Sequence, residues 1–174
     1  MARKIGLGSS PDAVATGGSL ADELLVLLDR GGLDHTMSFR SLAESLRTDD
    51  AGPLLAVPAG GSVRVVDLAG DQLSAPVDAG PAGLADWWAR WVAAVDATGR
   101  DRDPVADEMD SVNPVVAARN HLAEEALSAA VSGDHEPLHR LVDVVRRPFD
   151  TPSDDRYARP PTDDEGPYRT FCGT

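Results

Sequence analysis

Helical periodicity is the feature that most restricts the fold of this chain. Apolar residues recur three and four positions apart in six segments, and glycine or proline ends several of them. The segments predicted as helices are 19–30, 34–47, 84–97, 103–110, 114–132 and 134–147. We therefore expect a mainly α fold of short helices, packed around leucine, valine and alanine.

Side chains that can cap helices define several of the predicted starts. Asp34 is suited to the N-cap of the second segment and Asp134 to that of the last, because a carboxylate can accept from the free N–H groups of a first turn. Asn113 is predicted to cap the fifth segment, with Pro114 in its first turn, where no intrahelical hydrogen bond is lost. The clearest helix is therefore expected to begin at Pro114.

Arg119 and Asn120 then fall in the middle of that helix, with Arg119 near its apolar stripe. An arginine in such a position needs a carboxylate or a backbone carbonyl as its partner, because a desolvated charge without one is costly. We predict that Arg119 is an internal clamp that fixes its helix to a neighbouring element. A contact with a ligand phosphate and a contact with a missing partner segment are the alternatives.

Residues 49–83 depart from the helical pattern. They are rich in glycine, proline and alanine, and the valines of 62–68 favour a strand that could form a small hairpin with 54–57. A surface insertion with little regular structure is the alternative. We expect this region to interrupt an otherwise helical domain over 1–148.

Residues 149–174 form the second region without helical character. Their prolines and acidic residues prevent a regular helix, so an irregular, proline-rich tail is expected. The tail ends in an aromatic stretch and Cys172, which suggests a strap that docks by its last residues.

Two groups of side chains have spacings that ligand sites also use. Trp87 and Trp91 share a helix face with Leu84, which we interpret as core packing, with a ring-stacking ligand platform as the alternative. His135 and His139 are four residues apart, as two metal ligands on one helix would be. No HExxH pattern accompanies them, so we interpret them as solvent-facing residues of a helix surface.

The charge of the chain limits its partners. Its 29 acidic and 16 basic residues give a net charge of −13, which repels phosphate backbones and anionic lipids. We therefore expect neither a nucleic-acid nor a membrane partner. No apolar run approaches the ~20 residues of a membrane span, and no apolar stretch follows Arg3 and Lys4 as in a signal peptide, so a cytoplasmic location is expected.

The usual motifs of nucleotide-binding and nucleophilic enzymes are missing from the sequence. Lys4 is the only lysine and no glycine loop surrounds it, whereas phosphate-binding sites normally use a lysine. The single cysteine, Cys172, excludes an internal disulfide and a zinc site of several cysteines. Cys172 is either an inert thiol or one that its tail brings to the thiol of a partner.

The order of short motifs along the chain resembles the C-terminal part of the SelO family of protein adenylyltransferases. The resemblance covers both ends of the chain and is interrupted at 49–83. It rests on Arg3–Leu7, Asp34-His35-Thr36, Phe39-Arg40, Trp88 and Trp91, Val112-Asn113-Pro114, Arg119-Asn120-His121-Leu122-Ala123, Gly133-Asp134, Arg147-Pro148-Phe149 and Cys172-Gly173-Thr174.

This resemblance implies the helical C-terminal part of a protein-kinase-like, pseudokinase fold that transfers AMP from ATP to protein hydroxyls. It implies ATP and Mg²⁺ as cofactors of the full-length family, bound upstream of the segment around Lys4. No catalytic, cofactor-binding or metal residue is therefore assigned, and no cofactor is expected in this chain alone. The resemblance marks Cys172 as a redox candidate, and it gives a structural signature of Asn113, Pro114, Arg119 and Asn120.

We therefore predict a C-terminal piece of such an adenylyltransferase that is not catalytic by itself. A split gene, a frameshift or a misplaced start would produce it, and an N-terminal kinase-like chain could complement it. The alternative is a free-standing helical module that binds a protein through its tryptophan helix or its tail. An independent enzyme would need a site that the sequence does not show.

Overall fold

A computed structural model describes residues 1–9, 11–58 and 83–161, and within them the chain is mainly α, as predicted. A 3-10 helix at Ala2–Ile5 comes first, and a second one at Asp155–Tyr157 comes last. No strand occurs in these ranges. The helices between are α1 (Pro11–Gly31), α2 (His35–Thr48), α3 (Gly52–Leu55), α4 (Leu84–Asp96), α5 (Arg102–Val112), α6 (Asn120–Val131) and α7 (Glu136–Val145).

The main core lies between the first 3-10 helix and helices α1, α2, α4 and α5. Together with α3, which contributes Leu54, these elements form the main unit, which comprises the described residues up to 113. Each helix contributes apolar side chains spaced one turn apart, as an amphipathic helix on a core does. The largest fully buried ones are Ile5, Leu24, Leu28, Leu42, Leu46, Leu54, Leu84, Trp87, Trp91, Val95, Val105 and Met109.

Two tryptophans of α4 form the centre of this core. Trp87 and Trp91 are fully buried, and their rings stack with centroids 5.7 Å apart. The indole N–H of Trp87 donates to the backbone oxygen of Leu20 at 2.9 Å, and that of Trp91 to the oxygen of Ile5 at 2.8 Å. Both polar atoms are thus satisfied inside the core. The prediction that these residues serve core packing is confirmed.

Gly6 lets the N-terminal segment lie directly on α5. It has φ of 75°, a left-handed conformation that other residues rarely adopt. A Cβ atom at this position would lie 2.6 Å from Cγ1 of Val105 and 2.8 Å from Sδ of Met109. Torsion angle and space therefore both require glycine here.

A second, smaller core lies between α6 and α7. Leu122, Ala126 and Leu141 are buried in it, and Tyr157 of the last 3-10 helix packs against them. Helices α6 and α7 pack chiefly against each other. We call residues 114–161 the C-terminal unit.

Most of the predicted helices are confirmed. Helices α2, α4 and α5 agree with the predicted 34–47, 84–97 and 103–110 to within two residues at each end. Asp34 caps α2 as expected, because its Oδ1 accepts from the Met37 N–H at 2.8 Å. The N-cap of α7 is His135 rather than Asp134 as predicted, although Asp134 does accept from the N–H of Glu136, at 3.0 Å.

The first helix begins at Pro11 rather than at residue 19. It continues through Gly17 because that residue faces the N-terminal segment. A Cβ on Gly17 would lie 2.6 Å from the Cβ of Ala2. The glycine is thus used for a close contact between elements rather than for a turn.

The predicted helix over 114–132 starts too early. α6 begins at Asn120, and Asn113 follows the end of α5 instead of capping α6. The backbone N–H groups of Val115 and Val116 donate to the oxygen of Pro148, at 2.8 and 3.0 Å. This long-range pairing satisfies two N–H groups that would have no intrahelical acceptor in the first turn of a helix beginning at Pro114. Arg119 is therefore not in mid-helix but stands immediately before α6.

The hairpin predicted around residue 60 is wrong for its first half, because Leu54 belongs to the one-turn helix α3. Its second half, 62–68, lies outside the described residues, as do Cys172 and the aromatic end of the tail. Within the described ranges, no helix combines the length and the apolar character that a membrane span requires.

The hydrogen bond of Trp91 gives a test of this core. Replacing Trp91 by phenylalanine leaves the Ile5 carbonyl without its donor in a buried place, and we expect a loss of about 1–3 kcal/mol in unfolding free energy. The measurement is urea unfolding followed by circular dichroism. Trp88→Phe is the matched control, because the Trp88 N–H has no acceptor within the part that the structure describes. An equal loss in both variants would contradict the assignment.

Candidate functional site

The signature residues of the sequence lie where the two units meet. Nη1 of Arg119 donates to Oδ2 of Asp34 at 2.6 Å, and its Nη2 donates to Oδ1 at 3.2 Å. Nη2 also donates to the backbone oxygen of Ala158 at 2.9 Å. The side chains of Arg119 and Asp34 are only 11% and 10% exposed. Arg119 therefore has the carboxylate partner that the sequence predicts, and it joins three separate parts of the chain.

Asp34 has two tasks at this point. Its carboxylate caps α2 through Met37 and also holds the Arg119 guanidinium. Burial raises the pKa of Asp34. The hydrogen bonds from Arg119 and Met37, together with the charge of Arg119, lower the pKa by more than burial raises it. The net pKa lies below the ordinary aspartate value, so the ionised form is favoured in the folded protein.

Asn113 anchors the end of α5 to the start of the chain. It is fully buried, and its Nδ2 donates to the backbone oxygen of Lys4 at 2.7 Å. Nη1 of Arg40 donates to the backbone oxygens of Asp110 and Asn113, at 2.9 and 3.2 Å. Asn113 is thus held on both sides. Pro114 follows it as the first residue of the C-terminal unit.

A groove of about 480 Å³ runs along the boundary between the units. The main unit forms one wall with α2, α3 and Asp110 of α5, and the C-terminal unit forms the other. Its apolar surface comes from side chains of both walls. The groove is lined by Met37, Arg40, Ser41, Glu44, Arg47, Pro53, Asp110, Val115, Asp155, Ala158 and Arg159.

The charges of the groove are largely engaged with one another. Arg40 and Arg47 contact the carboxylate of Asp110 at 3.1 and 2.7 Å, and Arg47 also contacts Asp107 at 2.7 Å. An anionic ligand would have to compete with these carboxylates for the guanidinium groups. These ion pairs therefore join α2 to α5, and they make the groove a poor site for phosphate.

Among the described residues, no group of three or more His, Cys, Asp or Glu side chains is arranged to hold a metal ion. His135 precedes the first residue of α7 and His139 lies in its first turns. Both side chains are exposed, which agrees with their interpretation as surface residues. The redox candidate Cys172 lies outside the described residues.

Sequence reasoning missed the partners that define this boundary. It identified Asp34 only as a cap, although Asp34 also binds Arg119. It named Arg40 only as part of a family motif, and it did not single out Arg47 and Asp110. Their signal was present as two arginines seven residues apart on α2, and as Asp107 and Asp110 three apart on α5, which places each pair on one helix face.

Comparison with known proteins adds the family. No protein-family model matches the chain. Curated proteins named protein nucleotidyltransferase YdiU match it throughout: 41% identity over 175 residues in Mycolicibacterium paratuberculosis, 38% over 178 in Pseudarthrobacter chlorophenolicus and 42% over 176 in Mycobacterium sp. (strain KMS). Each alignment covers 100% of this chain but only 30% of the relative.

The lowered pKa of Asp34 predicts an acid-sensitive contribution to stability. Because the folded pKa lies below the unfolded one, the contribution is complete above a pH of about 4 and is lost as the pH falls through the folded pKa. Asp34→Asn keeps the cap of α2 but removes the charge. We expect it to lower the unfolding free energy by about 1.5–3 kcal/mol at neutral pH, and by less in acid.

Urea unfolding at a series of pH values measures this difference. Asp143→Asn is the control, since Asp143 is an exposed residue of α7 and its replacement is expected to leave the pH profile unchanged. A stability difference for Asp34→Asn that stays constant down to the lowest pH would contradict the prediction.

Proposed function

The chain belongs to the protein nucleotidyltransferase YdiU (SelO) family, and we propose that it is the helical C-terminal part of a protein-kinase-like, pseudokinase enzyme that is not catalytic by itself. The observation that carries the proposal is the coverage of the alignments: relatives match all of this chain with 30% of their own length. The order of the short motifs quoted above supports the same placement within the family.

We infer that the whole protein transfers AMP from ATP to a serine, threonine or tyrosine hydroxyl of another protein. In such a transfer the hydroxyl oxygen bonds to the α-phosphorus, pyrophosphate leaves, and the hydroxyl proton passes to a base. The name of the relatives, protein nucleotidyltransferase, supports the class of reaction. The resemblance to the family adds three details to this reaction class: ATP is the donor, Mg²⁺ is the metal and a protein hydroxyl is the acceptor.

The described residues support assigning this chemistry to the remainder of the family protein. The one lysine, Lys4, has its ammonium 5.3 Å from the ring centre of Phe39, in a cation–π contact. Arg40 and Arg47 of the groove are paired with Asp110, and these ion pairs join α2 to α5. We accordingly assign no catalytic, cofactor or metal residue to this chain, and we keep Cys172 as the redox candidate of the proposal.

We propose that the partner of this chain is the N-terminal, kinase-like part of a YdiU protein. Exposed apolar side chains of the C-terminal unit support a protein partner: Leu127 and Val131 are 53% and 90% exposed, one turn apart on α6. The net charge of −13 makes nucleic acid and membrane surfaces unfavourable partners. A cytoplasmic location completes the proposal.

The alternative is a free-standing helical module that binds proteins through its tryptophan helix or its tail. The tryptophan helix has less support as the binding surface, because Trp87 and Trp91 are fully buried and their N–H groups are engaged inside the core. A surface role for α4 would have to use its exposed residues instead.

Two measurements test the proposed function. The first is thermal unfolding of the purified chain with and without ATP and Mg²⁺. Since a ligand that binds only the folded state raises the transition temperature, we expect no shift for this chain. A clear upward shift would contradict the assignment of the nucleotide site to the rest of the protein.

The second measurement uses the Mycolicibacterium paratuberculosis relative. Its matching 30% is replaced by this chain, and AMP incorporation from labelled ATP is compared with that of the relative truncated before this part. We expect the chimera to be active and the truncated protein to lose most of its activity. A truncated protein as active as the intact relative would contradict a role for this part in the enzyme.

A further inference from the structure

The described residues contain two hydrophobic cores of very different size. The main unit buries two tryptophans and side chains from five α-helices, whereas Leu122, Ala126 and Leu141 are the buried members of the C-terminal cluster. Units with few buried apolar contacts open at lower free energy than the rest of a protein. The C-terminal unit therefore depends on its attachment to the main unit.

The attachment includes a polar contact at a place shielded from water. Arg119 binds Asp34 of the main unit and the oxygen of Ala158, so it connects α2, the start of α6 and the segment after α7. Nε of Arg119 is buried without an acceptor in the described part of the chain. The charge of Arg119 is thus stabilised in this place mainly by Asp34, and the pair forms only when the units are closed.

The rest of the boundary is incompletely packed. The groove of about 480 Å³ separates Met37, Arg40 and Arg47 of α2 from Val115 and Ala158 of the C-terminal unit. Cores without voids resist partial opening, because separated surfaces lose dense contacts. A boundary that already contains a groove loses fewer contacts when it opens.

The point at which the units can part is also defined. Asn113 is fixed to the main unit through Lys4 and Arg40. Residues 114–119 have no regular secondary structure, and the N–H groups of Val115 and Val116 donate to the oxygen of Pro148 in their own unit. The change from one unit to the other therefore falls between Asn113 and Pro114.

We propose that the C-terminal unit opens and unfolds as one cooperative body while the main unit stays folded, with Asn113-Pro114 as the hinge and the Arg119–Asp34 pair as the latch. The proposal goes beyond the proposed function and does not depend on it. Opening exposes the wall of the groove that α2 and α5 form. The open state therefore presents to a partner a surface that is covered in the closed state.

Hydrogen exchange of the whole chain at increasing urea concentrations tests the two-unit behaviour. We expect the amides of α6 and α7 to exchange together, through an opening with a smaller urea dependence than that of the amides of α2 and α4. All three tryptophans are in α4, so fluorescence follows the main unit separately. Identical opening free energies and urea dependences for α6, α7 and α4 would overturn the proposal.

Arg119→Gln tests the latch. We expect exchange in α6 and α7 to become roughly 10- to 100-fold faster, the range for losing hydrogen bonds to a charged group, with the fluorescence midpoint unchanged. Asp34→Asn is expected to have the same effect on α6 and α7. The matched control is Arg140→Gln, which removes an exposed ion pair with Glu136 inside the C-terminal unit and is expected to alter exchange little.

Two results would overturn the latch. One is an Arg119→Gln variant whose exchange in α6 and α7 equals that of the Arg140→Gln control. The other is a fluorescence midpoint that falls together with the protection of α6 and α7, which would mean that the units unfold as one. If Arg119→Gln did not fold, Arg119→Lys, which keeps the charge but loses the two-pronged geometry, would be measured against the same control.

Discussion

The buried pair of Arg119 and Asp34 is the contact on which the arrangement of the described chain depends. The Asp34 carboxylate accepts from the Met37 N–H in the first turn of α2, and it pairs with a guanidinium that also donates to the oxygen of Ala158. Three segments that are distant in sequence therefore meet at one charge. Taking away either partner would leave the other charged and largely removed from water, which is more costly than losing an exposed pair.

Other arginine–carboxylate pairs also connect separate elements of the described chain. Arg47 binds Asp107 and Asp110 across α2 and α5, Arg90 binds Glu23 across α4 and α1, and Arg102 binds Asp49 and Asp96. In each case the ion pair joins two elements of the fold. A chain with many more acidic than basic residues can use its arginines in this way, since carboxylates are always close.

Much of the main unit could be predicted from the sequence, because its signals are local. Apolar spacing and the cap at Asp34 placed α2, α4 and α5 to within two residues. The segment 114–119 could not be placed in this way. Asn113-Pro114 is a good local start for a helix, but the N–H groups of Val115 and Val116 pair with Pro148, more than thirty residues away. The same limit hid the second role of Asp34 and the groove, since both arise from tertiary contacts that no local pattern records.

Gly6 has a consequence for how this chain can change over evolutionary time. A crowded position inside a core can often be exchanged when a neighbour becomes smaller, so that two substitutions compensate each other. Such compensation is not sufficient at Gly6. Smaller side chains at 105 and 109 would make room for a Cβ atom, but they would not relieve the penalty of φ at 75°. The contact of the N-terminal segment with α5 therefore strongly favours glycine at position 6, even where the neighbouring side chains are smaller.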